Sequence, residues 1–185
     1  MHAAEKAALR EQLTASRRAR AADEIERART GVRAAVLTRA ATAGWRCVAG
    51  YVPLRTEPGS PELLSELTRL GVRVLVPVLL PDRDLDWAPW DAAAGAPGAA
   101  LGRGTIAGAD AVFVPALAVA ADGVRIGRGG GSYDRALPRA RPDATVAALL
   151  FDGELVAELP RDAWDHPVTA VVTPAGWREL RAGGA

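Results

Sequence analysis

The sequence contains a single cysteine, Cys47, so no disulfide can close within the chain. No metal-ligand spacing surrounds it. The only histidines, His2 and His166, lie far away in sequence, so Cys47 reads as a small buried hydrophobe rather than a nucleophile. No apolar run approaches the roughly 20 residues of a membrane-spanning helix. The N-terminal segment is charged and alanine-rich and lacks the apolar core and cleavage site of a secretory signal. Neither sign of charge dominates. Lys and Arg number 23 against 22 Asp and Glu, and the net charge of +1 argues against a nucleic-acid surface or a polybasic membrane patch. The expectation is a cytoplasmic protein, monomeric or weakly dimeric, with no nucleic-acid or membrane partner. Lysine is almost absent too. Lys6 stands alone among arginines. A compact ammonium is a common point-charge partner of phosphate, although Lys6 also reads as a solvated helix residue.

What is present suits one domain, 1–185, with a core of ordinary size. Helices are expected over residues 5–43 and an α/β core over 45–175. Leu9 and Leu13, four apart, mark a first helix, and a break falls near 21–23 with Asp23 as a cap. Ile25, Val32, Val36 and Leu37 mark a second. Cys47–Leu54 reads as a buried strand ending at a proline. Ser60-Pro61-Glu62 starts a helix whose apolar face is Leu63, Leu64, Leu67 and Leu70, and Gly71 stops it. Val72–Leu80 is the next strand. A loop carrying Trp87 and Trp90 follows, then a flexible run, Ala92–Gly104. Ala111–Val119 is continuously apolar, as in a sheet covered on both faces. A glycine-rich turn, Asp122–Gly131, leads to a helix from Ser132 or Tyr133 towards Arg141. Thr145–Phe151 and Thr169–Thr173 complete the strands. Strands alternating with helices predict an α/β sandwich with a mainly parallel sheet.

The most informative stretch runs from Asp122 to Arg135. Gly127, Gly129, Gly130 and Gly131 leave backbone N–H groups open to close approach. The following helix points its positive end there, and Arg125 and Arg128 add charge. Asp134 offers a hard oxygen for Mg²⁺. These are the parts of a phosphate cradle, although a tight turn with no ligand uses the same glycines. No Gly-Lys-Ser/Thr follows, so this is not a Walker loop. No acidic ribose partner follows a later strand, so a dinucleotide fingerprint is unsupported.

Val114-Pro115-Ala116-Leu117-Ala118 followed by Asp122-Gly123-x-Arg125-x-Gly127-x-Gly129-x-Gly131-x-Tyr133-Asp134-Arg135 resembles the signature of the 5-formyltetrahydrofolate cyclo-ligase family. Lys6 and Arg10 resemble its N-terminal Lys-x-x-x-Arg pair. Thr56-Glu57-Pro58 resembles its Gly-Glu-Val segment, and Trp164-Asp165 with Val168–Pro174 its closing segment. The resemblance covers most of the chain and is densest between residues 110 and 136. The chain departs from the pattern at Ser132, Trp164 and Pro174, where the family has tyrosine, histidine and an acid. It also lacks the family's Glu-Pro before the central strand.

The resemblance implies a single-domain, three-layer sandwich similar to the NagB/RpiA/CoA transferase-like fold. It implies ATP-dependent closure of 5-formyltetrahydrofolate to 5,10-methenyltetrahydrofolate through a phosphorylated formyl group, with Mg²⁺ as cofactor. It assigns Lys6, Arg10, Arg125, Ile126, Gly127, Arg128, Gly129, Gly130, Gly131, Ser132 and Tyr133 to ATP. Glu57, Arg10 and Arg128 fall to the folate, Arg128 and Tyr133 to the reacting groups, and Asp134 and Asp165 to Mg²⁺. Taken singly, Asp134 could serve the helix dipole, Asp165 a turn, Glu57 a solvated loop and Tyr133 the core. The rivals are a non-catalytic folate- or nucleotide-binding module and a different enzyme on a related scaffold, such as a sugar-phosphate isomerase.

Overall fold

The computed structural model describes residues 2–180. Two helices open the chain, α1 (His2–Arg18) and α2 (Ala22–Ala43). Asp23 does not cap α2: Ala21 holds that position and Asp23 sits in the first turn, bonded to Arg27. A short strand, β1 (Cys47–Ala49), is followed by α3 (Pro61–Arg69) and β2 (Arg73–Leu79). The start of α3 follows from sequence. Ser60 Oγ accepts from the Leu63 N–H, and Pro61, which has no N–H to lose, occupies the first turn. Leu63, Leu64 and Leu67 are buried, but Leu70 is 62% exposed because the helix ends before that face closes.

The chain continues through β3 (Leu85–Asp91), β4 (Ala96–Pro97), a 3-10 turn (Arg103–Gly108), β5 (Ala111–Pro115), β6 (Ala118–Ala120) and β7 (Arg125–Ile126). Then come α4 (Ser132–Ala136), a 3-10 turn (Leu137–Arg139), β8 (Thr145–Leu149), β9 (Leu155–Val156), β10 (Ala170–Thr173) and β11 (Gly176–Glu179). The main sheet runs β11-β10-β8-β5-β1-β2-β3-β4, and β7-β6-β9 form a small second sheet. The strands from β10 to β2 are parallel, and antiparallel strands flank them on both sides.

Alternation along the strands feeds two cores. Val48, Val74, Val76, Phe113 and Leu149 pack with α2 and α3 on one face. Ala49, Leu75, Val112, Val114 and Ala148 pack on the other with Trp87, Ile106, Ala136 and Leu137. Sheet and covering layers give the expected mixed α/β sandwich.

Several elements differ from the sequence reading. Trp87 and Trp90 lie on β3, not in a loop, and both are buried. Asp84, Asp86, Pro89 and Asp91 gave that segment a loop-like composition. Asp86 Oδ1 in fact accepts from Gly102 N, and Leu101 N donates to Trp87 O, so the 92–104 run is tied down. The predicted strand 47–54 ends at Ala49, and Pro53 could not have continued the ladder. The predicted strand 111–119 breaks at Pro115, which has no N–H to donate. Beyond it Leu117 N bonds Ile126 O and the chain joins the small sheet. The helix expected to reach Arg141 is five residues long and passes into the 3-10 turn at Pro138. Thr173 does not end the sheet, because β11 folds back on β10.

Candidate active site

The chain leaves β1 towards β2 on one side and later places β5 on the other. This reversal of strand order opens a crevice beyond the carboxyl ends of β1 and β5, where ligands bind in open α/β sheets. A cavity of about 720 Å³ lies there, lined by Tyr51 and Val52 after β1 and by Pro115, Ala116 and Leu117 at the end of β5. That volume is ordinary for a small-molecule site. Every residue assigned a ligand role in the sequence analysis lines this one cavity.

The glycine bend, residues 127–131, forms one wall between β7 and α4. Gly129 and Gly131 have φ of 92° and 69°, a left-handed conformation that side chains adopt at a cost. Among the described residues, no hydrogen bond uses the backbone N–H of Gly127, Arg128, Gly129, Gly130 or Gly131. Successive free amides in such a turn make an anion-binding concavity. Because α4 is so short, these amides are the anion-attracting feature here, rather than the dipole of a long helix.

Helix α1 reaches the bend from the other side. Arg10 Nε donates to Gly127 O at 3.0 Å. Lys6 is only 5% exposed, and its Nζ donates to Asp162 Oδ2 and Asp165 Oδ2, both at 2.7 Å. Burial by itself lowers the Lys6 pKa, but the two carboxylates outweigh it and leave it above the ordinary lysine value. Lys6 is thus held charged at the cavity wall.

Glu57 is buried, and its Oε2 accepts from Leu54 N at 2.8 Å. Its Oε1 lies 3.6 Å from Arg128 Nε, on a side chain that is 43% exposed. Arg125 Nη2 donates to Asp134 Oδ1 at 2.6 Å, so its charge already has a partner. Ile126 is buried in a small apolar cluster and can offer a ligand only backbone atoms. Asp134 Oδ1 also accepts from His166 N, and Asp165 Oδ2 from Asp162 N. No group of three or more His, Cys, Asp or Glu side chains suited to a metal occurs among the described residues. The Tyr51 and Tyr133 hydroxyls are buried with no partner among the described residues. Burial pushes both phenols above their ordinary pKa, so both stay protonated.

Sequence reasoning did not find Tyr51, Asp162, Arg17 or Glu154. Asp162 was legible only as one acid among several in a loop. Arg17 carried a faint signal: residues 6, 10, 13 and 17 share one stripe of α1.

Fold and cavity define an α/β protein with an arginine- and glycine-lined cleft at the switch point of a parallel sheet. The family model of the 5-formyltetrahydrofolate cyclo-ligase family matches residues 2–174. A 5-formyltetrahydrofolate cyclo-ligase of Mycolicibacterium smegmatis is 39% identical over 153 residues, 70% of this chain and 74% of that protein. One from Escherichia coli is 40% identical over 67 residues, 36% of this chain and 37% of its own length. The chain belongs to the 5-formyltetrahydrofolate cyclo-ligase family. The solved 5,10-methenyltetrahydrofolate synthetase of Mycoplasma pneumoniae superposes with a TM-score of 0.77 at 18% identity, over 91% of this chain and 98% of that one. That of Aquifex aeolicus gives 0.74 at 23% identity, over 97% and 95%. At these identities the two structures speak to the fold.

Proposed function

We propose that this chain closes 5-formyltetrahydrofolate to 5,10-methenyltetrahydrofolate while converting ATP to ADP and phosphate, acting as one unit over its whole length. The supporting observation is the meeting, in one cavity, of Lys6 and Arg10 from α1, the free amides of the glycine bend, and Glu57 beyond β1.

The chemistry needs activation because an amide oxygen is a poor leaving group. The formyl oxygen attacks the γ-phosphorus and ADP departs, leaving an iminium phosphate on N5. The N10 amine then attacks the formyl carbon and loses its proton. The C–O bond breaks, phosphate leaves with the former formyl oxygen, and the methenyl bridge remains. The protein's part is positioning and charge neutralisation. Lys6 and Arg10 take nucleotide phosphates, and the amides of 127–131 hold the terminal group. Arg128, more exposed than Arg125 on β7, pairs with Glu57 and offers its charge to the transferring phosphoryl group. Glu57, fixed by Leu54 N, orients the pterin or the formyl-bearing part. The Tyr133 phenol, protonated and unpaired, donates near the formyl group.

Asp134 and Asp165 each have one oxygen engaged by a cation, and among the described residues they belong to no group of three acids suited to a metal. This donor set fits a Mg²⁺ that takes most of its octahedron from phosphate and water, with Asp134 and Asp165 as its protein ligands. Bound there, the ion would neutralise phosphate charge.

The test is the near-ultraviolet absorbance of the methenyl product, followed with purified protein, 5-formyltetrahydrofolate, ATP and Mg²⁺. Product that requires ATP is expected. A folded protein that binds ATP or folate without forming product would instead be a binding module.

A further inference from the structure

At the far end of α1 from Lys6, a second cation is buried. Arg17 is 2% exposed. Its Nε donates to Glu154 Oε1 at 2.8 Å and its Nη2 to Glu154 Oε2 at 2.6 Å, a two-point fork on one carboxylate. Nη2 also donates to Ala116 O at 2.6 Å. Glu154 Oε2 in turn accepts from Phe151 N at 2.9 Å. Ala116 follows β5 and Phe151 follows β8, so this pair binds the helix to two turns at the carboxyl ends of the sheet.

A planar guanidinium on both oxygens of a carboxylate fixes orientation as well as distance. Arg17 lies eleven residues from Lys6, about 16 Å along the helix and on nearly the same face. A slip of one residue at Arg17 would rotate Lys6 by about 100° and take it off the cavity. The apolar attachment of α1 is modest: Leu9 and Leu13 pack, partly buried, against Leu117, Ala118 and Ile126. Buried ion pairs contribute little net stability compared with apolar residues of similar volume, so stability alone gives a weak reason for this one.

We propose that the Arg17–Glu154 pair is a positioning device for ATP: it sets the rotation and axial placement of α1, and through them the reach of Lys6 and Arg10 to the phosphates. This rests on the function proposed above. Arg17 also borders the cavity, but its Nε and Nη2 are taken by Glu154 and Ala116 O, so it is a positioning residue that acts through Lys6 and Arg10.

The test compares wild type, Arg17→Lys, and the double variant Arg17→Met/Glu154→Leu, which removes both charges and leaves no buried ion unpaired. The double variant is expected to melt cooperatively close to wild type. Its KM for ATP should rise at least tenfold, with the KM for 5-formyltetrahydrofolate within about twofold of wild type. Arg17→Lys, which keeps the charge but cannot fork, should fall between. Amide hydrogen exchange across residues 2–18 should quicken about tenfold in the double variant, with the sheet unchanged. A folded double variant with wild-type KM for ATP overturns the proposal, as does unchanged exchange in α1. If the wild-type protein forms no product, the catalytic reading fails by itself. The exchange measurement then still decides whether the pair fixes α1.

Discussion

Arg128 Nε stands 3.6 Å from Glu57 Oε1, so the glycine bend and the segment after β1 meet across the cavity through one charge pair. The pair is unequal: Glu57 is buried and oriented by Leu54 N, whereas the Arg128 side chain is 43% exposed. Arg128→Ala is expected to lower kcat about 100-fold, the scale for removing one donor to a developing charge, with a smaller change in folate KM. The reverse pattern, measured by steady-state kinetics in both substrates, would take Arg128 out of the transition state.

Glu57→Gln should act differently. It keeps the shape but removes the charge that draws in Arg128 and contacts substrate. The KM for 5-formyltetrahydrofolate is expected to rise by more than that for ATP. Equal rises in both would show that Glu57 only holds the loop together.

Lys6 is the sole lysine and is clamped by two aspartates, so no other lysine can replace it. Lys6→Ala should cut kcat/KM for ATP about 100-fold while near-ultraviolet circular dichroism stays native. Lys6→Arg should not restore it, because a planar fork does not fit a site shaped for a point charge. Wild-type rates in Lys6→Ala would contradict the assignment.

Acid stability offers a test away from the cavity. The hydrogen bond from Arg139 holds the Asp84 carboxyl below its ordinary pKa, with burial opposing and Arg103 helping. A depressed native pKa adds stability above the unfolded value, about 3.9, and loses it as pH falls below that. Asp84→Asn should therefore be less stable than wild type at pH 7 in urea titrations. The gap should narrow below about pH 4. A gap that stays constant with pH would assign the loss to packing.

Trp87 is fully buried, and its Nε1 has no partner among the described residues. Trp87→Ala should cost about 3–5 kcal/mol of unfolding free energy. Trp87→Phe, which loses no hydrogen bond and less volume, should cost less than Trp87→Ala in the same urea titrations.

The legible parts of the fold were those with local causes. Ser60-Pro61 announced α3 because capping and a missing N–H act within one turn. Short continuous apolar runs announced β2, β8 and β10, because a strand in a sheet covered on both faces buries successive residues. The Trp87 strand was hidden by its acids. Asp84 and Asp86 are paid for by distant partners, Arg139 and Gly102, which no local pattern shows. Among the residues that line the cavity, the glycine bend and Lys6 stood out by composition, and Arg10 and Glu57 through the family resemblance. Asp162 and Glu154 were missed because each acts on a helix more than a hundred residues away.

By itself the sequence determined which segments could be strands or helices, where glycines allowed a left-handed bend, and which single ammonium was present, since these depend on near neighbours and covalent geometry. Tertiary structure alone decided that the bend keeps its amides free, that Lys6 stands between Asp162 and Asp165, and that Arg17 grips Glu154. Those outcomes require a sheet whose strand order reverses at β1 and β5 and brings remote segments into one cleft, and the energies that select such long-range pairings are summed over the whole packed molecule.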